Sequence, residues 1–586
     1  LNESIVNRIA DLPRPAPQYP RHFAPIDIDL GNWASLELLY HSLLDRQIKS
    51  VEELVQWLKD NSEMSAVVGE EASRRYITMT CATDNQAAES AYLFYIEEIM
   101  PKLKPLGFRL DKKFLECPYT ADLDPDFYRV LLRSTRNAVE LFREENVPLE
   151  TELDKLSQQY QKIQGAMTVM FQGQERTMQQ MGVFAQYKDR ALRQEAWETV
   201  IKRRMQDTEK LEDLFDEMLK LRTQVAKNAG FANFRDYQFR RFNRFDYTPD
   251  DCFKFHTAVE QFVVPLTQKS LEERRQALKI DTIRPWDTQC DKYGRDPLYP
   301  FTTDYELAQG CLNIFYKVDK RLGEQFNIML DLGLLDLGSR KGKAPGGYQS
   351  TLTEIRLPFI FMNAVGLNRD LTTLLHEGGH AFHSLAAADQ PIIDYRHSPM
   401  EFAEVASMSM EHLGMPYLEE FYSPADAARA RCNQMQGDIS ILPWIAAVDA
   451  FQHWIYTNPG HTRSERADYW LSLMDRFAKG IDWSGWEEVS RYGWHGQLHI
   501  FEYPFYYIEY GIALLGALQI WRNARQGSRQ AIDAYLAALK LGGSKPLPTL
   551  FEVAGAKFDL SADTVRPLMD LVQAEMETQG ALENRV

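Results

Sequence analysis

The sequence predicts a mainly α-helical protein with one small β-element, and three observations carry that prediction. Apolar residues recur at three- and four-residue steps over long stretches, as on the buried face of amphipathic helices. Residues rich in Thr, Ile, Leu and Phe that lack this period gather between Tyr348 and Met362. No segment repeats at a fixed period, which excludes a solenoid.

Composition sets the bounds. A chain of 586 residues can bury a large core, and its length suits about two to four domains or one multi-lobed unit. Hydrophobic content of 45% and charged content of 25% are globular values that exclude wholesale disorder. A net charge of −17 argues against nucleic acid or an anionic membrane as the partner. No apolar run reaches membrane-spanning length. The N-terminal stretch from Leu1 to Ile9 lacks the basic-then-apolar order of a secretory signal, although a start at Leu rather than Met leaves a trimmed leader open. Cys81, Cys117, Cys252, Cys290, Cys311 and Cys432 are scattered without a C-x-x-C pair. Free thiols in a reducing cytoplasm are therefore expected.

In chain order, the charged amphipathic region from Leu149 to Ala229 has few breakers and reads as long antiparallel helices. Pro, Asp and Gly residues between Ile280 and Pro300 read as an ordered crossover. This places an N-terminal helical lobe at 1–285 and a second lobe at 286–586, interlocked rather than independent. A second break, Gly338–Gly347, precedes the strand material, which contains Pro358. Proline is tolerated at a sheet edge and poorly in a central strand, so an edge strand is expected there. Such an edge can hold an extended peptide by strand addition; an ordinary hairpin fits the same residues equally well.

The chemistry concentrates in Leu371–His383, which contains His376-Glu377-x-x-His380. On a helix, residues i and i+4 share a face, so both imidazoles can grip one metal ion. Glu377 then lies beside the open coordination position, where a general base is needed. With 12 His in the chain, chance supplies this motif in roughly a few per cent of such sequences, so it does not stand alone. Asn368 or Asp370 can cap this helix, and Leu371, Leu374 and Leu375 form its buried side. Gly378 and Gly379, poor helix formers, imply a close neighbour. His383 points the same way as His380 but is displaced along the axis from His376. A substrate-facing or ligand-orienting role fits it better than ligation.

A catalytic zinc site needs a third protein ligand and leaves one position for water. Glu401, Glu404 and Glu411 fall near one face of a segment otherwise made of Phe, Ala, Val and Met. Carboxylates on a buried face need a partner, and a metal is a strong one. Glu404 is the expected third ligand, with Glu401 or Glu411 orienting a ligand histidine; a solvated acidic face is the bland alternative. Between Trp494 and Tyr510, imidazole and phenol donors are dense enough to stabilise a developing oxyanion, although aromatic clusters are more often simple core.

Together, Gly346-Gly347-Tyr348, His376–His383, Glu401–Ser407, His499–Tyr510 and the Arg284–Asp287 crossover resemble the M3 family of zinc oligopeptidases, in particular its oligoendopeptidase F branch. These motifs span most of the C-terminal half, whereas the N-terminal half is similar mainly in its long helices. The resemblance implies a mainly α, two-lobed ellipsoid with a deep substrate channel and a small β-sheet beside the HExxH helix, a zincin-type metallopeptidase. Short peptides would be the substrates and one Zn2+ per chain the cofactor. It implies His376, His380 and Glu404 as metal ligands, Glu377 as general base, His499 and Tyr510 as transition-state donors, and Tyr503, Tyr507 and Tyr348 as substrate contacts. Two departures stand out. Gly378 replaces a usual bulky residue, and Gln497 stands where the related dipeptidyl carboxypeptidases carry Lys. Without that lysine no anchor for a free C-terminal carboxylate is evident, which favours internal cleavage over the carboxypeptidase alternatives. A non-catalytic peptide-binding protein is the rival from another class. Its metal site would be closed by a fourth protein ligand and would have no need of Glu377.

Overall fold

The structure is a computed structural model that describes residues 5–340, 342–344 and 346–583. The first four residues of the N-terminal stretch, and Lys341 and Pro345 of the second break, lie outside the described residues. Helices dominate, as expected, and none is long and apolar enough to cross a membrane among the described residues. Among the described residues five short strands punctuate them: β1 (Thr168–Phe171), β2 (Gln174–Thr177), β3 (Leu335–Gly338), β4 (Tyr348–Leu352) and β5 (Leu357–Ala364). The chain divides into two compact units, each assembled from three segments.

The first unit comprises Leu1–Glu140, Tyr299–Ala427 and Gly516–Phe558. One of its cores is built by helices Trp33–Asp45, Val51–Cys81 and Met100–Glu116 around Leu43, Leu54, Trp57 and Tyr95. Ser50 caps the second of these by accepting from the Glu53 amide, and Glu52 and Glu53 add negative charge to its first turn. The Trp57 indole donates to the Leu43 carbonyl at 2.9 Å, so its one polar atom is satisfied in a fully buried ring.

The second core of this unit surrounds a three-stranded sheet of order β3-β5-β4, with β3 parallel and β4 antiparallel to β5. Pro358 therefore lies in the central strand, not at the edge as the sequence suggested. It is tolerated because β3 joins β5 only from Ile360 onward, leaving Pro358 paired to Thr351 of β4 alone. β4 is the edge strand beside helix Asn368–Ala386. Gln349 and Thr351 of β4 both reach Ser384 of that helix, at 3.4 and 2.8 Å.

The second unit comprises Leu141–Leu298, Ala428–Leu515 and Asp559–Val586. Helices Asn146–Gly165 and Thr208–Asn228 run antiparallel within it, and Asn228 donates to the Asn146 side chain at 2.8 Å where one begins and the other ends. The region expected to be uniformly helical is interrupted by the β1–β2 hairpin. Gln172 and Gly173 turn it with φ of 52° and 75°, the left-handed pair that suits a two-residue hairpin. In the Arg284–Asp287 crossover, Asp287 is fully buried, gripped by Arg190 at 2.9 and 2.8 Å and by Arg193 at 3.0 Å. Burial alone would raise its pKa, but these cations and the Arg284 amide hold the carboxyl below its ordinary value.

Candidate active site

Helix Asn368–Ala386 starts with Asp370, whose carboxylate accepts from the Val365 and Leu367 amides at 2.8 and 2.9 Å. Asp370 thus satisfies the helix start, while the Asn368 side chain accepts from the Tyr422 hydroxyl at 2.7 Å. Leu371, Leu374, Leu375 and Phe382 are at most 2% exposed and anchor the helix. Each such side chain contributes on the order of 1.5–3 kcal/mol. That holds the imidazoles on the opposite face in a fixed geometry.

The two glycines have different neighbours. A Cβ on Gly378 would meet the ring of Phe315 at 2.6 Å. On Gly379 it would meet the backbone of helix Met400–Gly414, at 2.6 Å from both the Ala406 carbonyl oxygen and Ser407 Cα. The expected close backbone approach is therefore at Gly379. It brings Glu404 to the histidines. His376 Nε2 and His380 Nε2 lie 3.4 and 3.6 Å from the same oxygen, Glu404 Oε2. The imidazole rings stand nearly perpendicular, with centroids 4.9 Å apart.

These separations test the fit of a metal. A tetrahedral zinc with bonds near 2.0–2.1 Å places its donors about 3.3 Å apart. The two imidazole-to-carboxylate separations are close to that spacing, and all three donor atoms lie within 4.8 Å of one another. The surroundings also match. Glu411 Oε1 is 2.7 Å from His376 Nδ1, which leaves Nε2 as the ligating nitrogen. The Ser407 hydroxyl donates to Glu404 Oε2 at 3.0 Å. Burial would raise the Glu404 pKa, but His376 and His380 pull it down to about 2, so the carboxylate is ionised. Burial lowers the His380 pKa to about 4, keeping that imidazole neutral and able to bind a metal. Glu401 is buried on the same helix; the carboxylate at His376 Nδ1 is that of Glu411.

Glu377 is 8% exposed. Burial raises its pKa to about 7; His376 opposes the rise, Glu404 and Glu411 add to it, and the Gln349 amide of β4 opposes it. A carboxyl poised near neutrality can both accept and return a proton. His383 is not in the ligand cluster. It is buried against Phe402, with its pKa lowered to about 3 by burial, and its Nε2 has no hydrogen-bond partner among the described residues. The Tyr348 ring stacks on Phe361 at 4.8 Å and its hydroxyl is 2.6 Å from Thr80 Oγ1, so this side chain is engaged within the unit.

In the second unit His499, Tyr506, Tyr507 and Tyr510 cluster, with His499 ring centroids 5.7, 5.0 and 5.8 Å from the three phenols; Tyr503 borders the group and is 54% exposed. Burial pushes the Tyr507 phenol up to about 12. Sequence reasoning missed two residues that orient the cluster. The Trp444 indole can only donate, and it donates to Gln497 Oε1 at 2.8 Å. The Gln497 amide nitrogen must then donate to His499 Nδ1, also at 2.8 Å. His499 is thereby held with its proton on Nε2, as a hydrogen-bond donor. Below these rings a fully buried Arg244–Glu509 pair at 2.5 Å fixes the start of helix Ile508–Leu541.

Known proteins share this sequence and fold over long stretches. Residues 183–569 match Peptidase family M3, and residues 23–142 match the Peptidase M3 N-terminal domain. An oligoendopeptidase F homolog of Borreliella burgdorferi is 23% identical over 415 residues, 67% of this chain and 66% of that protein. Oligopeptidase PepF of Bacillus subtilis is 25% identical over 48% of this chain and 42% of its own length. The aligned stretches of the curated relatives thus span between 24% and 66% of those proteins. A solved structure of PZ peptidase A with an inhibitor superposes with a TM-score of 0.87 at 27% identity, covering 95% of this chain and 99% of that one. The chain belongs to peptidase family M3 and, within it, to the oligoendopeptidase F-like branch.

Proposed function

We propose that the protein is a zinc metalloendopeptidase that hydrolyses internal bonds of short oligopeptides. The observation that carries this reading is the three-donor cluster of His376, His380 and Glu404, spaced for one tetrahedral ion, with Glu377 beside it. A zinc ion held there would polarise the scissile carbonyl and acidify a water. Glu377 takes the proton of the attacking water and returns it to the leaving amine, which converts the amine into a good leaving group. Glu411 holds His376 at the ring angle ligation requires. The backbone edge of β4 is suited to hold a peptide extended, since the Tyr348 side chain is already engaged.

The family resemblance assigns the oxyanion to His499 and Tyr510, and the Gln497-fixed tautomer of His499 supports a donor role. Tyr510→Phe is expected to lower kcat by on the order of 100- to 1000-fold with a smaller change in KM. An unchanged kcat would remove Tyr510 from catalysis. Gln497 is committed to Trp444 and His499 and carries no cation, so it offers no anchor for a terminal carboxylate. This favours endopeptidase over carboxypeptidase action. The six cysteines are unbridged, which supports a reducing, cytoplasmic location; isolation of a disulfide-linked form from the source cells would argue against it.

The deciding experiment uses internally quenched fluorescent peptides with free and amidated C-termini, with and without a chelator, and mass analysis of the products. Cleavage at internal bonds of both, lost with the chelator and restored by zinc, is expected. Cleavage of the free form alone would indicate a carboxypeptidase, and stoichiometric binding without cleavage would indicate a peptide-binding protein.

A further inference from the structure

A second metal-ligating constellation lies wholly within the second unit, apart from the residues described above. Helix Pro249–Ala258 carries Cys252 and His256, and helix Pro424–Thr457 carries Asp449 and His453. Each is an i, i+4 pair, the spacing that puts two side chains on one helix face. The two faces meet. Ligand atoms of Cys252, Asp449 and His453 all lie within 4.8 Å of one another. His256 Nε2 and His453 Nε2 lie 2.8 and 3.2 Å from the same oxygen, Asp449 Oδ2.

Burial makes this grouping demanding. Cys252 and Asp449 are 0% exposed, and His453 and His256 are 3% and 4%. The Phe253 and Phe505 rings sit against the His453 ring, with centroids 4.9 and 5.2 Å away. Despite that surrounding, Asp449 Oδ1 and both ring nitrogens of His453 make no aligned hydrogen bond among the described residues. A fully buried carboxylate oxygen with no donor, beside an imidazole whose nitrogens make no aligned hydrogen bond, is costly in an apolar setting, and one bound cation satisfies both.

We propose that Cys252, Asp449 and His453 bind a second divalent cation of the zinc class, with His256 holding the Asp449 carboxylate and standing next for the fourth position. The mixed sulfur, nitrogen and oxygen donor set selects a borderline-soft ion over calcium or magnesium, which require oxygen-rich cages. A buried site made only of protein ligands is structural. It would tie together two helices far apart in the sequence, where closing a long loop gains the most.

Cobalt substitution tests the site on the intact protein. The His376, His380 and Glu404 set has no sulfur, so a thiolate-to-cobalt charge-transfer band in the near ultraviolet can come only from a cysteine-ligated ion. The wild-type protein, demetallated and reloaded with Co2+, is expected to hold about two ions per chain and to show that band. Cys252→Ser should lose the band and one ion. Glu404→Ala should lose the other ion and keep the band, so failure of either site is distinguished from failure of the other. About one ion per chain with no band in the wild type would overturn the proposal, leaving a buried carboxylate–imidazole network beside a spectator thiol. A band that persists in Cys252→Ser would overturn it equally. The wild-type spectrum decides even if the variant fails to fold.

Discussion

Replacing Glu377 by Gln is expected to leave the metal content unchanged and to lower kcat by on the order of 100- to 10,000-fold. The side chains are nearly isosteric, so packing in this buried position is preserved. Only the capacity to take and return a proton is lost. The metal is expected to stay because the three candidate donor atoms belong to His376, His380 and Glu404, and Glu377 is not among them. Metal analysis and single-turnover kinetics on the same preparation separate the two effects. Wild-type turnover in that variant would remove Glu377 as the base, and loss of the ion would make it a ligand.

Glu404→Ala has the second large effect. Its Oε2 is the point shared by both imidazoles, at 3.4 and 3.6 Å, so the substitution removes the third candidate donor and a negative charge close to both rings. Metal affinity should fall well beyond the roughly 10- to 100-fold expected for Glu411→Ala, which removes only a hydrogen bond to the far side of His376. Titration with a competing chelator reads both. The reverse order of effects would make Glu411 the ligand and Glu404 its support.

Much of this site was legible before the structure because it depends on helical periodicity. His376 and His380 share a face by spacing alone. Glu404 betrayed itself as a carboxylate among Phe402, Ala403, Val405 and Ala406. Glu401 and Glu411 could not be told apart, since periodicity fixes direction around a helix axis and not which turn meets a neighbour. The role of Trp444 and Gln497 in orienting His499 was not legible for a related reason: their contact joins positions 53 residues apart. Pro358 misled because the rule against central-strand proline applies to paired amides, and β3 starts its pairing past that residue. The β1–β2 hairpin escaped because strongly charged flanks read as helix, although Gln172-Gly173 after the short apolar run Val169–Phe171 was a usable turn signal.

The close approach at Gly379 means that the spacing of the candidate ligands is set by an atom that is not there. With hydrogen in place of a methyl group, the Ala406–Ser407 backbone seats against the histidine helix and Glu404, two residues earlier, is carried to the imidazoles. Position 379 is therefore a spacer. Affinity for an ion held by this set would be tunable there, through the gap between two helices, with every candidate ligand left untouched.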